Sequence, residues 1–178
     1  MVVFAEKQLS REKVYAGKIV DVYRDEVSLP DGRKAVREVC EHPGAVAVLA
    51  AERGDLLFVR QYRYAVSAEL IEIPAGKLEP GENPEEAARR ELREETGFQC
   101  AELLHMGSIC PSPGILSEVI HLYFARGLSF IGEQPDEDEF LSTVRIPRET
   151  FWEMMLHGEI VDAKTVCAVN IARARGLL

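Results

Sequence analysis

Gly76-Lys77-Leu78-Glu79-Pro80-Gly81-Glu82, followed after seven residues by Arg90-Glu91-Leu92-Arg93-Glu94-Glu95-Thr96-Gly97-Phe98, is the stretch on which the reading of this chain turns. Asn83 is a good N-cap and Pro84 suits the first helical position, where its missing N–H costs nothing. Glu85 and Glu86 sit at the positive end of the helix dipole, and Gly97 stands where a left-handed C-terminal stop belongs. These signals predict a helix over Pro84–Thr96. Residues three and four apart share a helix face, so Glu91, Glu94 and Glu95 project from neighbouring turns. Like charges at that spacing weaken a bare helix, and a hard divalent cation among them removes the penalty. Glu-rich helices with interspersed Arg are ordinarily solvated faces. Here Gly76 and Gly81 bracket a loop feeding straight into the helix, which lets backbone carbonyls and carboxylates converge. Leu92 and Ala88 face inward, and Arg90 is placed to orient a neighbouring carboxylate.

Working outward, residues 15–29 alternate loosely and end at Pro30-Asp31-Gly32, a turn leading to a partner strand over Lys34–Glu41. Strands are expected over 45–51, 56–62 and 69–73 before the helix, and over 102–109, 119–125 and 140–146 after it. Pro147 opens a helix carrying Phe151, Trp152, Met155 and Leu156, and a last helix is expected over 161–175. Many strands with a few inserted helices argue for a mixed α/β (α+β) domain rather than a regular βαβ series. The organisation expected is an N-terminal strand and hairpin region over residues 1–42, then the main domain over 43–178.

The chain of 178 residues is long enough for one domain with a real core, and its 47% hydrophobic and 29% charged composition is that of a globular protein. Its 30 acidic residues against 21 basic ones give a net charge of −9, which excludes a broad nucleic-acid footprint. A small anionic substrate remains compatible if a divalent metal supplies positive charge. The first ten residues, broken by Glu6, Lys7 and Gln8, hold no signal-peptide core, and no apolar run is long enough to span a bilayer. Cys40, Cys100, Cys110 and Cys167 lack metal-ligand spacing and read as free thiols of a reducing cytoplasm.

The quoted stretch resembles the Nudix box: Gly, five residues, Glu, seven residues, Arg-Glu, an aliphatic residue, any residue, Glu-Glu, any residue, Gly and an apolar residue. Gly76, Glu82, Arg90, Glu91, Leu92, Glu94, Glu95 and Gly97 occupy the fixed positions, and Phe98 is the looser fit, apolar but aromatic. The strand order on both sides is similar to the Nudix α/β/α sandwich with a mixed sheet and an N-terminal antiparallel strand region. The resemblance implies metal-dependent hydrolysis of a nucleoside diphosphate linked to another group. Glu91 and Glu95 would be principal ligands of Mg²⁺ or Mn²⁺, with Glu94 and the Ala75 carbonyl contributing.

Two further stretches resemble the ADP-ribose pyrophosphatase subgroup. Cys110-Pro111-Ser112-Pro113-Gly114-Ile115-Leu116-Ser117-Glu118 places Pro113 sixteen residues after Gly97. By that likeness Pro113 and Gly114 belong to the substrate loop. Glu69-Leu70-Ile71-Glu72-Ile73-Pro74-Ala75-Gly76, preceded by Arg60-Gln61-Tyr62-Arg63, is similar to the ADP-ribose and nucleotide-sugar branch. The resemblance makes Arg63 a phosphate contact, with Arg37 a second one, since a guanidinium fork suits phosphate. An acidic run, Glu133-Gln134-Pro135-Asp136-Glu137-Asp138-Glu139, stands where the family carries a late acidic loop. Glu137 is the expected general base and Glu139 an auxiliary ligand, the two roles being interchangeable, with Glu118 a third contender. The expected reaction is hydrolysis of ADP-ribose to AMP and ribose 5-phosphate. A broader UDP- or GDP-sugar diphosphatase is the alternative, and a non-catalytic nucleotide-sensing Nudix module a more distant one. The subgroup also implies a homodimer built through the N-terminal strands.

Overall fold

In the computed structural model, residues 4–132 and 140–178 are described, and they fall into two compact units. The first comprises residues 1–44 with 110–118, the second residues 45–109 with 119–178.

The first unit is a three-stranded antiparallel sheet, β1 (Lys7–Ala16), β2 (Asp21–Ser28) and β3 (Lys34–Glu41), in chain order. The turn between β2 and β3 follows from its residues. Pro30 and Asp31 occupy its centre, Gly32 N–H donates to the Leu29 carbonyl at 2.9 Å, and Gly32 takes φ +84°. The single strand expected over 15–29 is divided. The chain reverses at Gly17, whose N–H donates to the Val20 carbonyl at 3.0 Å, and β1 lies before it. All ten residues of β1 are exposed, so no buried face imposes the alternation by which a strand is recognised. Polar cross-strand contacts tie it instead. Arg11 grips Asp25 through Nε and Nη2 at 2.9 Å each, and its guanidinium lies 4.3 Å from the Tyr23 ring centre. The segment after Pro113 joins this unit, with Cys40 N–H donating to Ile115 O at 2.7 Å and Ser117 N–H donating to Cys40 O at 3.0 Å.

The second unit is a sandwich about a seven-stranded mixed sheet. Its strands are β4 (Ala45–Glu52), β5 (Asp55–Arg63), β6 (Ala68–Glu72), β7 (Ala75–Lys77), β8 (Phe98–Ile109), β9 (Ile120–Phe130) and β10 (Leu141–Pro147). The order is β10-β5-β4-β9-β8, with β6 paired to β5 and β7 to β4; β4 and β9 run parallel and the other pairs antiparallel. The helices are α1 (Pro84–Thr96), α2 (Arg148–Leu156) and α3 (Ala163–Ala174). Residues of β4 alternate between two cores, because successive side chains of a strand point to opposite faces. Val46, Val48 and Ala50 meet Ala87, Ala88 and Leu92 of α1. Ala47 and Leu49 meet Phe151 of α2 and Ala168, Val169 and Ala172 of α3. Burial on both faces explains why β4 reads as a continuous apolar run. Phe58 stacks on Phe151 with ring centres 4.6 Å apart, fixing α2 to β5. This is the α/β/α arrangement expected from the sequence. Trp152, expected in the core, is half-buried against it beneath the Arg173 guanidinium at 4.4 Å.

One detail positions the site. β4 pairs with β5 at its C-terminal end and with β7 at its N-terminal end. The continuous segment from β6 through Ile73 and Pro74 to β7 therefore crosses from one strand to the other. Val48 N–H donates to the Pro74 carbonyl at 2.8 Å, anchoring the crossing.

Candidate active site

The helix that carries the carboxylates forms as its caps direct. Asn83 Oδ1 accepts from Glu85 N–H at 2.8 Å, and Gly97 closes the helix at φ 72° with its N–H donating to Arg93 O at 2.8 Å. Arg90 lies at the centre of the acidic face. Its Nε and Nη2 clasp Glu82 at 2.9 and 3.0 Å, while Nη1 donates to Glu91 at 2.7 Å and to Glu94 at 2.9 Å. One guanidinium thus serves three carboxylates. Arg90 holds the Glu82 carboxyl below its ordinary value, and the Glu79 N–H donating to it at 3.0 Å lowers it further. The Arg90 charge is correspondingly reinforced, first by Glu82 and then, against partial burial, by Glu91 and Glu94.

Glu95 differs from its neighbours. It is 2% exposed and accepts the Ala75 N–H at 3.0 Å, so it turns toward β7, whereas Glu91 and Glu94 lean on Arg90. Gly76 explains the closeness of β7 to the helix. A Cβ on this residue would fall 2.0 Å from the carboxyl carbon of Glu91. Among the described residues, no three His, Cys, Asp or Glu side chains are gathered into a group that could hold a metal ion. The donor chemistry nonetheless fits a hard divalent cation. Glu91, Glu94 and Glu95 offer only oxygens, and their charge exceeds what Arg90 balances.

Arg63, at the end of β5, places Nε and Nη2 on Glu72 at 2.6 and 2.7 Å as a bidentate fork. Hydrogen bonding to Glu72 reinforces its charge against burial, and the fields of Glu72, Glu95 and Asp162 add to this. Lys164 also donates to Glu72, and to Asp162 Oδ1 at 3.0 Å. Burial pushes the Glu72 carboxyl up, but Arg63 and Lys164 together outweigh it and hold the group below its ordinary value. Glu72, Asp162, Lys164 and Thr165 are neighbours that the sequence alone does not single out as site residues. The available signal was Asp162 three residues before Thr165, an N-cap pattern at the start of α3: Asp162 Oδ2 accepts from Thr165 N–H at 3.0 Å.

The remaining candidates belong to the first unit or fall outside the described residues. Arg37, on β3, is spent on Glu6, donating through Nε at 2.9 Å and through Nη2. Pro113 and Gly114 are exposed in the segment beside Cys40. Glu118 stands 3.5 Å from His42 Nδ1. The same nitrogen accepts from Gly44 N–H at 3.2 Å. Glu137 and Glu139 fall outside the described residues.

A family model described as the NUDIX domain matches residues 41–166, from the end of β3 into α3. The chain belongs to the Nudix family. A second model, the nucleoside diphosphate sugar hydrolase N-terminal domain, matches residues 6–40, which are β1 to β3. Among relatives of this Nudix protein, the ADP-ribose pyrophosphatase of Bacillus subtilis (strain 168) is 39% identical over 176 residues, covering 97% of this chain and 95% of that one. The methanol dehydrogenase activator of Bacillus methanolicus is 41% identical over 170 residues, 94% of this chain and 92% of that one. The crystal structure of an ADP compounds hydrolase matches with a TM-score of 0.86 and 24% identity, over 98% of this chain and 95% of that one, a likeness of fold.

Proposed function

We propose that this Nudix protein hydrolyses the pyrophosphate bond of ADP-ribose, giving AMP and ribose 5-phosphate. The observation that carries the reading is the packing of β7 on α1, where glycine at 76 admits the Glu91 carboxylate and Glu95 accepts the Ala75 N–H. Kinship with an ADP-ribose pyrophosphatase over nearly the whole chain supports the substrate. Mg²⁺ or Mn²⁺ held by Glu91, Glu94, Glu95 and the Ala75 carbonyl would neutralise diphosphate oxygens and make a bound water more acidic.

The chain's own groups do the rest. Arg90 holds Glu82, Glu91 and Glu94 aligned. Arg63 offers the donors not spent on Glu72 to a phosphate oxygen, and Arg37 is a second phosphate contact once released from Glu6. Pro113 and Gly114 line the substrate. Glu137, Glu139 and Glu118 are the candidates for general base, a role that requires reach to the attacking water.

A second reading, a broader UDP- or GDP-sugar diphosphatase, is favoured by the match of residues 6–40 to the nucleoside diphosphate sugar hydrolase N-terminal domain. The same region suits a homodimer, since β1 exposes Leu9, Val14 and Tyr15 along a strand with no buried face. Four unpaired cysteines suit a reducing cytoplasm. The experiment is a panel of ADP-ribose, UDP-sugars and GDP-sugars with Mg²⁺ and products identified by phosphorus NMR, alongside light scattering for mass. Cleavage of ADP-ribose in preference to the sugars supports the first reading. Inert ADP-ribose beside a cleaved sugar nucleotide replaces it with the second.

A further inference from the structure

We infer that Lys164 is a positioning residue for the substrate diphosphate, acting through Glu72 on Arg63. The inference rests on the diphosphatase reading above. The three side chains form a gradient of exposure: 1% for Glu72, 11% for Lys164 and 42% for Arg63. Lys164 is too enclosed to meet a substrate, and of these two cations Arg63 is the one open to a soluble anion. Two of the five Arg63 donors are spent on the Glu72 carboxylate, and Lys164 shares the same Oε2 that receives Arg63 Nη2. The orientation of the exposed guanidinium is therefore set by a carboxylate that Lys164 holds from behind.

Lys164 is itself anchored. Asp162 caps α3, accepting from Thr165 N–H at 3.0 Å and Thr165 Oγ1 at 2.5 Å, and takes Lys164 on its other oxygen at 3.0 Å. Thr165 Oγ1 in turn accepts the Ile73 N–H at 2.9 Å. The helix thus braces the segment from Glu72 to Ala75, whose last N–H meets Glu95.

By direct contact Arg63 and Lys164 balance Glu72 and Asp162, two cations to two anions, and Glu95 adds a negative field at Arg63. Removing the Lys164 charge leaves two carboxylates against one guanidinium. The resulting negative field and the loosened Glu72 both oppose binding of an anionic diphosphate at Arg63. The bond-breaking step gains nothing directly from Lys164, so the loss falls on substrate affinity.

The test is a double-mutant cycle on the full chain, reading kcat and KM for ADP-ribose, Tm, and ADP-ribose binding by calorimetry in the presence of a chelator. Lys164→Met should raise KM about tenfold and weaken chelated binding in parallel, with kcat within about threefold. In an Arg63→Gln background the same change should move KM less than about twofold, because the affected contact is already gone. Asp162→Asn with Lys164→Met restores the balance of charge while keeping a helix cap, and should bring KM back toward wild type. That pair also serves if the single variant does not fold. Equal KM effects in both Arg63 backgrounds, a loss of Tm with KM unmoved, or a charge-balanced pair still about tenfold weak would each overturn the inference. A wild type that cleaves ADP-ribose but shows no such coupling removes this inference alone. A wild type that neither binds nor cleaves it removes the ADP-ribose reading as well.

Discussion

Gly76 lies so near Glu91 that a single added carbon would stand 2.0 Å from the Glu91 carboxyl carbon. The atom it would strike is the end of a flexible side chain, so the fold can yield where the site cannot. Gly76→Ala should therefore keep Tm within a few degrees of wild type and lower kcat/KM by about a hundredfold or more, the scale of losing one well-placed electrostatic contact. Thermal denaturation beside steady-state kinetics checks this. Full activity in the alanine variant would mean that the Glu91 position does not matter.

Glu95 combines burial with a hydrogen bond to the Ala75 N–H. Glu95→Gln keeps an acceptor for that N–H and removes the charge. We expect retained folding and a fall in kcat of about 10²- to 10³-fold, worth roughly 3–4 kcal/mol of transition-state stabilisation. Circular dichroism and turnover of the variant decide it. A protein that only senses nucleotides would show no turnover in either form.

Much of this was legible in the sequence, and the reasons are local. Asn83, Pro84 and Gly97 give α1 its bounds because capping is a property of neighbouring residues. Arg90 and its carboxylates lie within one helix and its feeding loop, so their spacing is readable. The approach of Gly76 to Glu91 was legible only as a motif, since the distance depends on how β7 packs on α1. Strand β1 escaped because its ten exposed residues carry no apolar rhythm. Glu72 and Lys164 are separated by 92 residues, and nothing in either neighbourhood announces the other. The division at Gly17 and the joining of residues 110–118 to the N-terminal sheet are likewise matters of tertiary pairing.

Arg90 serves Glu82, Glu91 and Glu94 with three separate nitrogens. A lysine keeps the charge but not the fork, and one ammonium cannot hold Glu82 in two places while reaching the helix. Arg90→Lys should lower kcat/KM about tenfold and raise the Mg²⁺ concentration needed for half-maximal rate, with a loss of roughly 1–2 kcal/mol in stability. A Mg²⁺ titration of rate, paired with urea unfolding, measures both.

Glu72 gives a pH prediction with a definite sign. Its carboxyl is held below the ordinary 4.5: burial raises it, and Arg63 and Lys164 lower it by more. A depressed carboxylate adds stability above the unfolded value and loses it as pH falls through the folded one. The Tm advantage of wild type over Glu72→Gln should be full near neutrality and shrink as pH falls below 4.5. An advantage that grows in acid would contradict the ion-paired state of Glu72.

The most direct measurement of the central claim is the hydrolysis of ADP-ribose by the purified chain with Mg²⁺ supplied and then removed by chelation. The account predicts AMP and ribose 5-phosphate in equal amounts with the ion, loss of turnover on chelation, and recovery when Mg²⁺ is returned. Turnover that survives chelation, or ADP-ribose left intact while the ion is present, would contradict it.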